Sequence, residues 1–184
     1  SIHKLVNIND SSNIAIVPVT QNVGCLSSHS IQEIGGDLVF LSPDGIRSVA
    51  GTSRIGDVEL GSVSRQIQSI VSNIANAVNT FTITSAVLRS KSQYRLFYTV
   101  LNGSTASARG IIGTLTANGF EWSETLGIQA TGFASGFADT GVEKLYHGDN
   151  EGYIYNHNEG NSFSSAGNLV DITAQYQTPH YDFG

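Results

Sequence analysis

The chain has 184 residues, a formal net charge of -6, 40% hydrophobic residues and 13% charged residues. That is enough apolar material for one packed domain, and it excludes a wholly disordered acidic chain. Nine scattered Lys and Arg against fifteen Asp and Glu disfavour a surface that coats nucleic acid.

The single cysteine, Cys25, excludes an intrachain disulfide and a cysteine-rich zinc site. No apolar run reaches the length of a membrane helix. Residues 1–6 lack the basic segment and long apolar core of a signal peptide. The absence of methionine reads as a processed product or a piece of something larger.

Twenty glycines exceed the average of roughly 7% and punctuate short apolar runs, which predicts many short strands with tight turns. Residues 2–6 and 14–19 read as strands around a polar turn, the second with Pro18 at its end or on an edge. Residues 22–32 are mixed and carry no clear element. Gly35-Gly36 opens a hairpin with arms at 37–41 and 46–49, turned by Ser42-Pro43-Asp44-Gly45. The first arm is apolar on both faces, so the strand is expected to be covered twice.

Residues 51–61 form a mixed-charge loop. Arg54, Asp57 and Glu59 make it a candidate subunit interface, since paired charges set register between neighbours. The period then changes. Ile67, Ile70, Val71, Ile74, Ala75 and Val78 follow a three-four spacing, predicting an inserted amphipathic helix over 63–78 with Ser62 as N-cap.

Residues 80–88 return to strand. A second hairpin runs from 93–100 through Asn102-Gly103 to 109–115, and Asn118-Gly119 turns into 120–124. A further strand falls within 127–137. The third hairpin has arms at 142–147 and 153–157. Pairing 147 with 154 would set Tyr146 opposite Tyr155. Residues 158–168 read as loop, 169–178 as a last strand, and 179–184 as a connection cut short.

The units at 37–49, 93–115 and 142–157 resemble one another. Their turn glycines Gly45, Gly103 and Gly152 are 58 and 49 residues apart. These periods suit β-propeller blades, although an antiparallel sandwich gives similar local signals. Three blades do not close a ring, so a partial propeller-like region over 1–184 is expected, in a longer parent or an assembly that covers its edges.

Candidate chemistry is sparse. Asp149 and Glu151 beside His147 carry only part of a calcium loop, and a self-capping turn explains them. His147, His157 and His180 lack a zinc motif and are expected to act independently. Glu121 and Glu124 flank Trp122, but glycoside hydrolysis needs a cleft and a defined carboxylate separation. Cys25 with nearby His29 has no nucleophile signature. No phosphate loop or dinucleotide fingerprint is present. Catalytic residues, cofactors and metal ligands are therefore none, and no enzyme is expected. Tyr94, Tyr98, Trp122, Tyr153 and Tyr155 are the candidate alternative ligand surface.

Residues 30–47, reading SIQEIGGDLVFLSPDGIR, and 51–61, reading GTSRIGDVELG, resemble the tubular tail (nozzle) protein of short-tailed bacteriophages. So do EWSETLGI at 121–128, YHGD at 146–149, GYIY at 152–155 and AQYQTP at 174–179. The resemblance implies a structural virion protein of the short tail: a hexameric, propeller-containing conduit below a portal and adaptor. Such a conduit passes DNA without reading its sequence, and an acidic balance suits a passage that repels phosphates. Family members are generally longer, so this chain would supply only part. The alternatives are a carbohydrate- or receptor-binding propeller module and a propeller-based glycoside hydrolase.

Overall fold

Strand β6 (Phe81–Leu88) and strand β7 (Gln93–Val100) are buried on both faces along most of their length, and the architecture follows from that. The computed structural model describes residues 1–50, 62–100, 108–160, 162–165 and 168–175. With β8 (Arg109–Thr116) and β9 (Gly119–Leu126), β6 and β7 form a four-stranded antiparallel sheet in sequence order. Alternate side chains point to opposite faces. Ile83, Val87, Tyr94, Leu96, Tyr98 and Ile111 therefore serve one core, while Ala86 and Leu88 serve another.

The first face is covered by a three-stranded sheet and a helix. β3 (Gln32–Ile34), β4 (Asp37–Ser42) and β5 (Gly45–Ser48) are antiparallel neighbours. Gly35 and Gly36, at φ 63° and 78°, make the two-residue turn between the paired residues Ile34 and Asp37. Val39, Phe40 and Leu41 are all buried, as a strand apolar on both faces requires.

Helix α1 (Gln68–Asn76) places fully buried Val71 and Ile74 in this core, and Ile67, Ile70 and Val78 pack beside them. The expected span of 63–78 is shorter as α-helix. The chain enters through a 3-10 turn at Arg65–Ile67, and Ile67, not Ser62, occupies the N-cap. Ser62 instead bridges to Arg47, and Ser64 Oγ accepts the Ile46 amide at 2.9 Å, so both serines tie the helix approach to β5.

Tyr94 is fully buried, yet its hydroxyl donates to the Ser30 carbonyl at 2.8 Å. Burial also raises its pKa well above the ordinary value, so the phenol is a permanent donor. Ser30 Oγ in turn accepts the Leu41 amide at 3.0 Å. Tyr94→Phe strands that carbonyl and is expected to cost about 1–2 kcal/mol. Urea unfolding measures this as a lower midpoint; an unchanged midpoint would show that the bond contributes nothing.

The second face carries β10 (Gly132–Phe137), β11 (Glu143–Gly148) and β12 (Ile154–Asn156). Leu145 and Phe133 pack there against Ala86 and Leu88. Glu143 fastens the layers at their margin by accepting the amides of Arg89 and Ser90 at 3.0 and 2.7 Å. Two ribbons complete the description: β1 (Ile2–Val6) with β2 (Ala15–Thr20), and β13 (Ser162–Ser165) with β14 (Asn168–Asp171). β13 falls in the stretch expected to be loop.

The expectation of a mainly β, antiparallel chain with an amphipathic helix matches this architecture, but the propeller-like region does not. The sheets are separate and open, and among the described residues they close no ring. The blade-like units at 37–49, 93–115 and 142–157 belong to sheets of three, four and three strands in stacked layers. Turn spacing records where the chain reverses. It does not record whether successive sheets repeat the same rotation, which closure requires.

Candidate functional site

Strand β9 is the outer strand of the central sheet, and its alternation decides what its carboxylates can do. Glu121 pairs with Thr114 and Glu124 with Ile111. An odd separation along a strand sends the two side chains to opposite faces. They cannot flank one substrate bond, so Glu121 and Glu124 do not together form the carboxylate pair of a glycoside hydrolase. Glu124 instead lies by Tyr98, where it helps burial push the phenol up to about 12.

Trp122 is part of the first core. Its ring stacks with Phe120 at 5.4 Å, meets Tyr94 edge-on at 6.5 Å, and its Nε1–H donates to the Val63 carbonyl at 2.8 Å. Glycine at 113 makes room for it, because a Cβ there would stand 2.7 Å from the indole.

The five candidate aromatic residues are thus divided. Tyr94, Tyr98 and Trp122 pack in the first core, while Tyr153 is 56% exposed and neighbours Tyr155 at 6.4 Å on the β11–β12 hairpin. The structure brings no single face of the five together. An open cavity of about 280 Å³ does exist, lined by Leu26, His29, Phe81, Thr82 and Thr131 among others, and it includes none of them.

The turn at 149–153 is self-capped. Asp149 Oδ1 accepts the amides of Glu151 and Tyr153 at 2.9 and 2.8 Å, so the carboxylate serves the turn's own backbone. Among the described residues no group of three or more His, Cys, Asp or Glu could hold a metal ion. Cys25 is exposed, and its thiol donates to the Ser27 carbonyl at 2.8 Å. The Arg54, Asp57 and Glu59 loop and His180 lie outside the described residues.

The third hairpin corrects the expected register by one residue. His147 pairs with Tyr155 and Gly148 with Ile154, because the Asp149-capped turn takes up Tyr153. Tyr146 therefore faces Asn156, not Tyr155, and His147 stacks on Tyr155 at 4.9 Å. Beyond β12, the His157 amide donates to the Leu145 carbonyl at 2.8 Å, which brings its ring onto the face of His147.

The two histidines expected to act independently are hydrogen-bonded: His147 Nδ1 and His157 Nε2 lie 2.7 Å apart. His157 Nδ1 is also 3.3 Å from Arg95 Nη1. Arg95 is 4% exposed and donates to Gln93 Oε1 and to Asn158 Oδ1. Burial, His147 and Arg95 together push His157 down to about 3, and burial lowers His147.

A second feature missing from the expectations is surface apolarity. Leu5 and Ile16 pair directly across the β1–β2 ribbon and are 56% and 69% exposed. Ile8 and Ile14 add to this at its turn. On the other outer strands Leu126, Phe137 and Ile154 are exposed as well. The two strands of the ribbon were legible as apolar runs around a polar turn, but whether either would meet a core was not.

No family model, curated protein or solved structure matches the chain.

Proposed function

We propose that this chain is a structural part of the short tail of a bacteriophage, forming a section of the nozzle wall by packing against further copies of itself. The observation that carries the reading is the β1–β2 ribbon. It packs chiefly on itself, and its directly paired Leu5 and Ile16 lie in solvent. A two-stranded ribbon is marginal on its own in water. An exposed apolar edge is also a template for association, so a neighbouring copy is the natural cover. The resemblance at 30–47, 51–61 and 121–128 supplies the tail identity, a hexameric arrangement and the adaptor as partner. The net charge of -6 suits a wall that DNA slides past without sticking.

On this reading the function is mechanical and needs no reacting group. Layered sheets hold a wall, and contacts between copies keep the passage open. The Leu5→Lys, Ile16→Lys double variant should keep its fold and weaken self-association at least tenfold, a change of about 1.4 kcal/mol or more. Sedimentation velocity over a concentration series reads this directly. A wild-type chain that stays monomeric throughout would count against the ribbon as a contact. A map of the assembled particle tests the tail identity separately, through copies ringed around a DNA-sized passage.

A further inference from the structure

Between the four-stranded sheet and the β10–β12 sheet lies a chain of nitrogens in which Arg95 and His147 are buried and His157 is half-buried. It runs from Arg95 on β7 through His157, just past β12, to His147 on β11. The aromatic rings around it come from both layers. Phe97 of β7 stacks on Phe133 of β10 at 4.6 Å, and both rings lie within 6 Å of the His157 ring.

The guanidinium fixes the proton positions. Arg95 only donates, so His157 Nδ1 must accept, and its proton sits on Nε2. That proton is then given to His147 Nδ1, which leaves the His147 proton on its own Nε2. Both rings are neutral in this arrangement, and both bonds depend on it.

We propose that the Arg95–His157–His147 chain is an acid-opened clasp: it holds the β10–β12 sheet on the four-stranded sheet at neutral pH and releases it on acidification. A proton added at His157 Nδ1 removes the acceptor of Arg95 and sets two cations 3.3 Å apart. A proton added at His147 Nδ1 removes the acceptor of His157. Reversing the His157 tautomer only moves the break to Arg95. No singly protonated form keeps both bonds.

The surroundings offer little relief. From β7 the facing charge is Arg95 itself. Burial is the first reason that both histidines are hard to protonate, and His157 is held at about 3. From the β11–β12 turn Asp149 favours a charged His147, but more weakly than burial opposes it. From β12 Tyr155 stacks on His147 and is neutral over the relevant range. β6 and β10 carry no ionisable residue. Lys144 is paired with Glu159, and Glu143 accepts the amides of Arg89 and Ser90.

The sign follows from proton counting. Both histidines titrate near 6.5 once the layers part, and lower while they are closed. The open form binds more protons, so opening is favoured as pH falls below about 6.5 and levels off only below the closed-state values. Each proton taken up raises the open population about tenfold per pH unit.

Amide exchange of the full 184-residue chain, normalised to the intrinsic rate at each pH, tests this. Protection of β10–β12 relative to β7 should fall about tenfold or more per unit between roughly pH 6 and 4.5. In the His147→Gln, His157→Gln double variant, which keeps donors and acceptors but cannot titrate, the ratio should stay flat. An equal slope in that variant, or a flat ratio in the wild type, overturns the clasp. Should the variant fail to fold, the histidine ring-proton titration of the wild type decides. Midpoints well below 6, falling together with sheet protection, support the clasp; midpoints near 6.5 with the sheet still docked overturn it.

Discussion

Phe97→Ala is expected to lower stability by about 3–5 kcal/mol, a large share of the roughly 5–15 kcal/mol that holds an ordinary domain together. Phe97 is fully buried on β7. It stacks on Phe133 of β10 at an interplanar angle of 24° and meets His157 edge-on at 67°. It also lies over Gly110, where a Cβ would stand 2.6 Å from the ring, so the neighbouring strand is shaped to it. Truncation leaves a cavity that two hydrogen-bonded layers cannot readily collapse into. Urea unfolding should show a lower midpoint with an unchanged slope. Local exchange should rise first in β10–β12, ahead of β3–β5. A loss below about 1 kcal/mol would mean that the second face of the sheet is not packed through this ring.

The second large effect is expected at the β4–β5 turn. Arg47 is 1% exposed, and its Nε donates to both oxygens of Asp44, at 2.9 and 3.1 Å, with a further bond from its Nη2. Asp44→Ala removes a carboxylate, itself partly exposed, from a charged donor that is buried, and should cost about 1.5–3 kcal/mol. An Asp44→Ala variant as stable as the wild type would overturn this account.

The pH dependence follows from the direction of the Asp44 shift. The bond from Arg47 is the main cause holding the Asp44 carboxyl below its ordinary 3.8. Its stabilisation is complete above that unfolded value and is lost as pH falls through the lower folded one. The gap between wild type and Asp44→Ala should therefore narrow only in strong acid. Acid unfolding followed by circular dichroism measures it. The histidine clasp releases at higher pH, so the two effects are separable on one titration.

Strands were legible wherever a turn residue and an alternating run coincided. Gly35-Gly36, Pro43-Asp44 and Asn118-Gly119 each sit at a reversal that the chain makes. The three-four spacing of Ile67, Ile70, Val71 and Ile74 marked the stripe that helix α1 buries. The apolar character of both faces of β4 likewise announced a strand covered twice. These are local properties, set by backbone freedom and side-chain period within a few residues.

What local pattern could not decide is how the layers meet. A one-residue change in a turn reverses the face of every side chain after it. Asp149 capping the amides of Glu151 and Tyr153 makes that change, and it converts two separate histidines into one hydrogen-bonded pair. The same limit explains the propeller expectation: repeated hairpins resemble blades in sequence, while closure depends on rotations between sheets. Composition and periodicity determined that this is a β-rich chain with an amphipathic helix. Tertiary contact alone decided that its sheets stack in open layers, that Arg95 meets His157 across 62 residues, and that Leu5 and Ile16 are left facing water. Burial and long-range pairing are properties of surfaces brought together, and no single strand carries them.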